Sequence, residues 1–148
     1  MRTARLAIAL ALLGCAPRDQ HLPPDEARAL LINRNWLDRL PESARDRLHV
    51  FRFVPSMGGG VFQDRTLYKG EFELFTFEAG GDRIRFDLPH TGERRDVRYR
   101  IDALGDGERR GPLDLRLILD GSPRGPSVYY GMRRESADLD ASLRSLAP

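Results

Sequence analysis

The sequence predicts a mainly β protein: an antiparallel meander of six to eight strands that closes into a small barrel, with a short N-terminal helix and a C-terminal helix. Three observations predict it. From Leu48 onward, apolar residues recur at every second position for most of the chain. The segments carrying that period are separated by short runs of glycine, proline and acids, never by a helical stretch, so consecutive strands pair as hairpins. Strands of this kind are apolar on one face only, and many of them together bury that face by curling into a barrel or by folding over a helix.

Taken in order, Asp25-Glu26-Ala27-Arg28-Ala29-Leu30-Leu31 reads as a helix, with acids in the first turn where the helix dipole favours them. A second short helix or turn is expected over residues 42–47, after Pro41. The first strand is expected at Val50-Phe51-Arg52-Phe53-Val54, and the glycines after Met57 turn the chain into Val61-Phe62. Residues 68–78 are rich in aromatic and β-branched side chains, and Ala79-Gly80-Gly81-Asp82 reads as a hairpin loop. Residues 83–88 place Ile84, Phe86 and Leu88 on one face and Arg83, Arg85 and Asp87 on the other; residues 96–102 repeat the pattern. Strands over 113–119 and 127–133 complete the set. Ser136 stands where an N-cap belongs, and Leu139, Leu143 and Leu146 follow at helical spacing, so residues 136–146 are expected to form a helix packed on the outside.

The N-terminus has a different character. Arg2 and Arg5 precede an apolar run from Leu6 to Leu13, far too short to span a bilayer, which takes roughly 20 apolar residues. It ends in Leu12-Leu13-Gly14-Cys15, which holds the only cysteine and resembles the lipobox of bacterial lipoproteins. The resemblance implies that residues 1–14 are a lipoprotein signal peptide, removed by cleavage before Cys15. It also implies that the Cys15 thiol carries diacylglycerol and that the new amine is often acylated as well. Two or three acyl chains anchor stably, because each buried CH₂ contributes about 0.8 kcal/mol. Ala16, rather than an acid, follows the cysteine, and by the family's sorting rule this favours the outer membrane, facing the periplasm, over the inner. Residues 15–24 are then the lipidated cysteine and an extended tether of ~25–30 Å at full stretch, and residues 25–148 a single barrel domain.

Charge argues against nucleic acid. The chain carries 24 basic and 22 acidic residues, and losing Arg2 and Arg5 with the signal peptide leaves the two equal, so the sequence pI near 9.0 does not mark a basic surface. With Cys15 lipidated, no thiol remains for a disulfide, a redox site or a metal, and no cofactor is expected.

The search for chemistry in the spacing finds no catalytic cluster and no metal motif. His21, His49 and His90 lie far apart in sequence and read as surface residues. Ser122 sits in Asp120-Gly121-Ser122-Pro123, which has none of the nucleophile elbow. Glu71 and Glu73 share a strand face about 7 Å apart, yet adjacent acids on one strand serve a solvated face and cross-strand ion pairs. Glycine-rich residues 57–60 and 105–111 read as turns, with no Lys-Ser/Thr ending of a nucleotide loop.

Aromatics are the remaining lead. Trp36, Phe53, Phe72, Phe86, Tyr99 and Tyr130 either fill the barrel as its core or line an apolar pocket inside it. The segment around Trp36, the meander, the Tyr129-Tyr130-Gly131-Met132 strand and the trailing helix together resemble calycin or lipocalin-like barrels of small bacterial lipoproteins, over residues 33–146. The resemblance implies a late arginine, Arg133 or Arg134, packed on the tryptophan. The expected protein is a non-enzymatic envelope lipoprotein that binds a small apolar ligand in its barrel. The alternative is a ligand-free module that docks on another envelope protein.

Overall fold

The computed structural model describes residues 19–134. Cys15, with the rest of 1–18, and the helix expected over 136–146 lie outside the described residues. The elements run β1 (Gln20–His21), α1 (Pro24–Leu31), β2 (Asn35–Leu37), β3 (Leu48–Val54), a 3-10 turn at Pro55–Met57, β4 (Gly59–Arg65), β5 (Gly70–Ala79), β6 (Arg83–Leu88), β7 (Glu93–Ala103), β8 (Leu115–Asp120) and β9 (Val128–Gly131). From β2 to β9 each strand pairs antiparallel with the next, and β9 returns to β2 through Leu37 and Tyr130. The result is a closed eight-stranded up-and-down barrel, consistent with a calycin-like architecture.

Side-chain alternation decides what the barrel encloses. On β3, Phe51 and Phe53 face inward; in register with them are Phe62 and Gly60 on β4, then Glu73 and Phe75 on β5. All eight strands contribute buried apolar residues to one cluster, from Trp36 on β2 to Tyr129 on β9. The Phe51 ring stands at its middle, with centroids 5.8 Å from Phe53, 4.9 Å from Phe62, 5.7 Å from Phe75, 6.1 Å from Phe86 and 5.2 Å from Tyr129. One ring thus reaches side chains of β4, β5, β6 and β9, across the barrel, and the centre is occupied by protein. Gly60 makes this possible: a Cβ there would lie 2.5 Å from the Phe75 ring.

The helix α1 closes one end. Pro24 supplies a fixed φ in its first turn, Asp25 and Glu26 follow, and Ala27 and Leu31 are buried against the barrel core. The indole Nε1 of Trp36 donates to the Leu31 carbonyl at 2.9 Å, and a Cβ on Gly131 would meet the same ring at 2.9 Å. Helix, β2 and β9 are therefore locked around one tryptophan.

The structure corrects several expectations. Phe72 is not in the core: alternation from the buried Phe75 puts it on the outer face of β5, 73% exposed. Tyr130 is also outside, because Tyr129 takes the inward position; it packs in a second cluster with Leu37, Leu48, Val50, Leu113 and Met132, beneath residues 104–114, with Arg110 4.5 Å over its ring. Trp36, Phe53, Phe86 and Tyr99 are buried inside. Residues 42–47, expected as a short helix or a turn, form a turn, the Asp46 carboxylate taking the backbone N–H of Glu42 at 2.8 Å and of Ser43 at 3.0 Å. Arg133 does not pack on Trp36; its guanidinium reaches Glu26 of α1 at 2.7 Å.

Residues 19–22, expected as part of an extended tether, are fixed to the barrel. Gln20 and His21 pair with Ala103 and Asp102 of β7, and the Leu22 N–H donates to Ile101. Asp102, buried at 5% exposure, accepts from Arg116 at 2.9 Å and lies 3.2 Å from His21 Nδ1. Arg116 also holds Asp19 at 2.8 Å. These charges fasten residues 19–22 to the barrel wall.

Candidate functional site

Two places hold polar side chains in unusual company, and one holds apolar side chains in water. The first lies at the barrel end opposite α1, which loop 121–127 and the 38–47 segment cover. The inner face of β3, β4 and β5 turns polar there: His49 is in register with Asp64, and Asp64 with Glu71. His49 is not the surface residue expected. Its Nδ1 lies 2.9 Å from Asp38 Oδ2, and its backbone N–H donates to Asp38 Oδ1 at 2.9 Å. The Asp38 side chain is buried, and the imidazole stacks on Phe62 at 5.9 Å.

An imidazole oriented by a buried carboxylate has the form of a general base. Here its other nitrogen meets Asp64 Oδ2 at 3.7 Å, and that carboxylate is taken by Arg47 at 2.6 and 2.5 Å. Ser122 Oγ donates to the Arg124 carbonyl at 2.6 Å. The group is satisfied internally, and its chemistry is that of a cap on the barrel. Among the described residues, no group of three or more histidines, cysteines or acids is placed to hold a metal.

Arg124 completes the cap. From the β8–β9 loop it donates to Glu73 at 2.7 and 3.1 Å, to Glu93 at 3.0 Å and to Thr91 at 3.2 Å. It thereby bridges β5 to the β6–β7 hairpin where those two diverge. Glu73 is thus ion-paired, as expected, but with a loop arginine rather than a strand neighbour. The Arg124 guanidinium, helped by Arg95 and Thr91, holds the Glu93 carboxyl below the usual range, and Arg47 does the same to Asp64. A lowered folded-state pKa adds stability above about pH 4 that fades as acid protonates the pair.

The opposite sign applies to tyrosine. Burial on the inner face pushes the Tyr99 hydroxyl up to about 12 and Tyr129 further still. A proton held longer in the folded state stabilises it fully below about pH 10, and that contribution is lost as pH rises towards 12. Titration followed at 295 nm should therefore show Tyr99 and Tyr129 ionising only as the protein unfolds, with about 2–3 kcal/mol of stability lost on Tyr99's account between pH 10 and 12. Ionisation of all tyrosines near pH 10 in the folded protein would contradict the packing.

The third place is the outer face of the β4–β5 hairpin. Phe72, Leu74 (63% exposed) and Tyr68 (58% exposed) project there, and Tyr68 and Phe72 flank an open groove of about 440 Å³ with Arg65 and Lys69. The wall formed by β6, β7 and β8 is different. It carries a ladder of exposed ion pairs: Arg83 with Asp96 at 3.1 Å, Arg94 with Asp87 at 3.2 Å and Arg98 with Asp120 at 3.6 Å. Such pairs keep a wall wet and add little stability.

Comparison of the chain with family models, with curated proteins and with solved structures gives no match. Function therefore rests on the geometry. Sequence reasoning missed the Asp38–His49 contact, the Arg124 bridge and the hairpin patch. The first two each join a loop residue to a strand residue, 11 and 51 positions apart, and no spacing rule reaches them. The patch had a signal, since the inward parity of Phe75 and Phe77 sends Phe72 and Leu74 outward.

Proposed function

We propose that the protein is a non-enzymatic, lipid-anchored envelope module that works from its outer surface, docking on another envelope protein. One observation carries this reading: the ring cluster around Phe51 occupies the barrel centre, so an apolar ligand would have to displace core side chains. The exposed apolar hairpin supports it further, because large apolar side chains grouped on a surface mark contact sites. The internally satisfied cap argues in the same direction, for it leaves no free base, nucleophile or metal ligand to begin a reaction. The anchor rests on the resemblance of Leu12 to Cys15 to a lipobox. Its polar end, farthest from α1 and the anchored N-terminal chain, then faces away from the membrane.

Photocrosslinking in living cells tests the reading. A benzoylphenylalanine in place of Phe72 should give one dominant crosslinked partner, and the same group at Arg98 on the charged wall should give none. Equal, diffuse crosslinking from both positions, or none from either, would overturn it.

A further inference from the structure

The β4–β5 hairpin has a second property that its exposed side chains do not by themselves explain. A closed barrel abolishes free strand edges, yet β5 keeps one. It is 10 residues long, β6 only 6, and the two pair only between Thr76–Ala79 and Ile84–Asp87. Pro89 ends β6, having no N–H for a ladder. The chain then turns away, with the N–H groups of Thr91 and Gly92 both donating to the Leu88 carbonyl and Gly92 at φ 72°. Among the described residues, 70–75 therefore have β4 on one side and no strand on the other.

We infer that this edge receives an extended segment of another polypeptide as an added antiparallel strand, one in which apolar residues alternate with basic ones. The inference rests on the docking reading above. An added strand meets β5 residue by residue, with partners opposite Phe72 and Leu74 on the outer face and partners opposite Glu71 and Glu73 on the inner. The outer positions call for apolar side chains, because both are large and exposed. The inner position opposite Glu71 calls for positive charge, because Glu71 is exposed; Glu73 is already paired with Arg124 and adds no demand of its own.

A second copy of this chain is the poorer occupant. Two copies of the edge related by a two-fold axis keep inner residues opposite inner residues. Every register centred on Glu71, Phe72 or Glu73 then sets Glu71 against Glu71, Glu71 against Glu73 or Glu73 against Glu73. Like charges directly opposite oppose pairing. The sequence of the edge thus permits a basic partner and discourages itself.

The test uses the full chain and three nine-residue peptides, acetylated and amidated. One alternates valine with arginine, one alternates valine with glutamate, and one has the arginine peptide's composition with its valines in a single block. The arginine peptide should slow amide hydrogen exchange across residues 70–75 and bind about tenfold or more tighter than the other two. Glu71→Arg should reverse the preference towards the glutamate peptide, and Leu74→Lys should weaken the arginine peptide. Both positions are exposed, and an unchanged melting temperature verifies the fold of each variant. Absence of protection at 70–75, or equal binding of the glutamate or block peptide, overturns the inference. If crosslinks at position 72 persist in that case, the docking reading survives and only the strand-addition mode falls; if they are also missing, the docking reading falls with it.

Discussion

Phe51→Ala is expected to lower the stability of the barrel by about 3–5 kcal/mol, a large share of the roughly 5–15 kcal/mol that holds a domain of this kind together. The residue is 1% exposed, and its ring touches neighbours on four other strands, so none of them alone can collapse into the space left. The variant should also acquire a dry apolar cavity at that point, able to take up a benzene-sized molecule. Phe72→Ala provides the contrast. That ring is longer on exposure than on contacts, and its loss should cost less than about 0.5 kcal/mol. Chemical denaturation of the two variants measures both. A cost below about 1 kcal/mol for Phe51→Ala would mean that the barrel centre is not packed as described.

Cys15→Ser should move the protein from the membrane to the soluble fraction while leaving the melting of the barrel unchanged. The native protein should resist a high-salt wash and take up labelled palmitate, since the burial of acyl chains, at about 0.8 kcal/mol per CH₂, does not respond to salt. The serine variant should take up none. The attachment of residues 19–22 to β7 and β8 gives the proposed anchor a mechanical meaning. Asp19 is only four positions after Cys15, so a lipidated Cys15, as proposed, would hold the α1 end of the barrel close to the bilayer surface and direct the β4–β5 hairpin away from it. Label on the serine variant, or native protein released by salt, would remove the anchor from the account.

How much of this was legible in the sequence follows from where each contact lies along the chain. The strands β6 and β7 announce themselves by alternation, because their inner faces are largely apolar and their outer faces charged. Asp25 and Glu26 before Ala27 and Leu31 mark α1 in the same local way. The short strands do not: β2 is three residues long and β1 two, below the length at which a period can be seen. They exist because neighbours hold them, β2 through Trp36 and β1 through Asp102 and Arg116. The sorting of aromatics into core and surface was half legible. Phe53 and Phe86 follow the parity of their strands, whereas Phe72 misleads because β5 carries aromatic or large apolar residues on both faces. Whether the barrel was filled could not be read at all. That depends on rings from β3, β4, β5, β6 and β9 meeting at one point, and only closure of the barrel fixes it.

Native mass spectrometry of the protein extracted from its own membrane tests the central claim most directly, that a solid barrel acts from its outside. The account predicts the mass of the lipidated polypeptide with no additional small molecule, both before and after gentle activation. A stoichiometric apolar passenger that leaves on activation would contradict it.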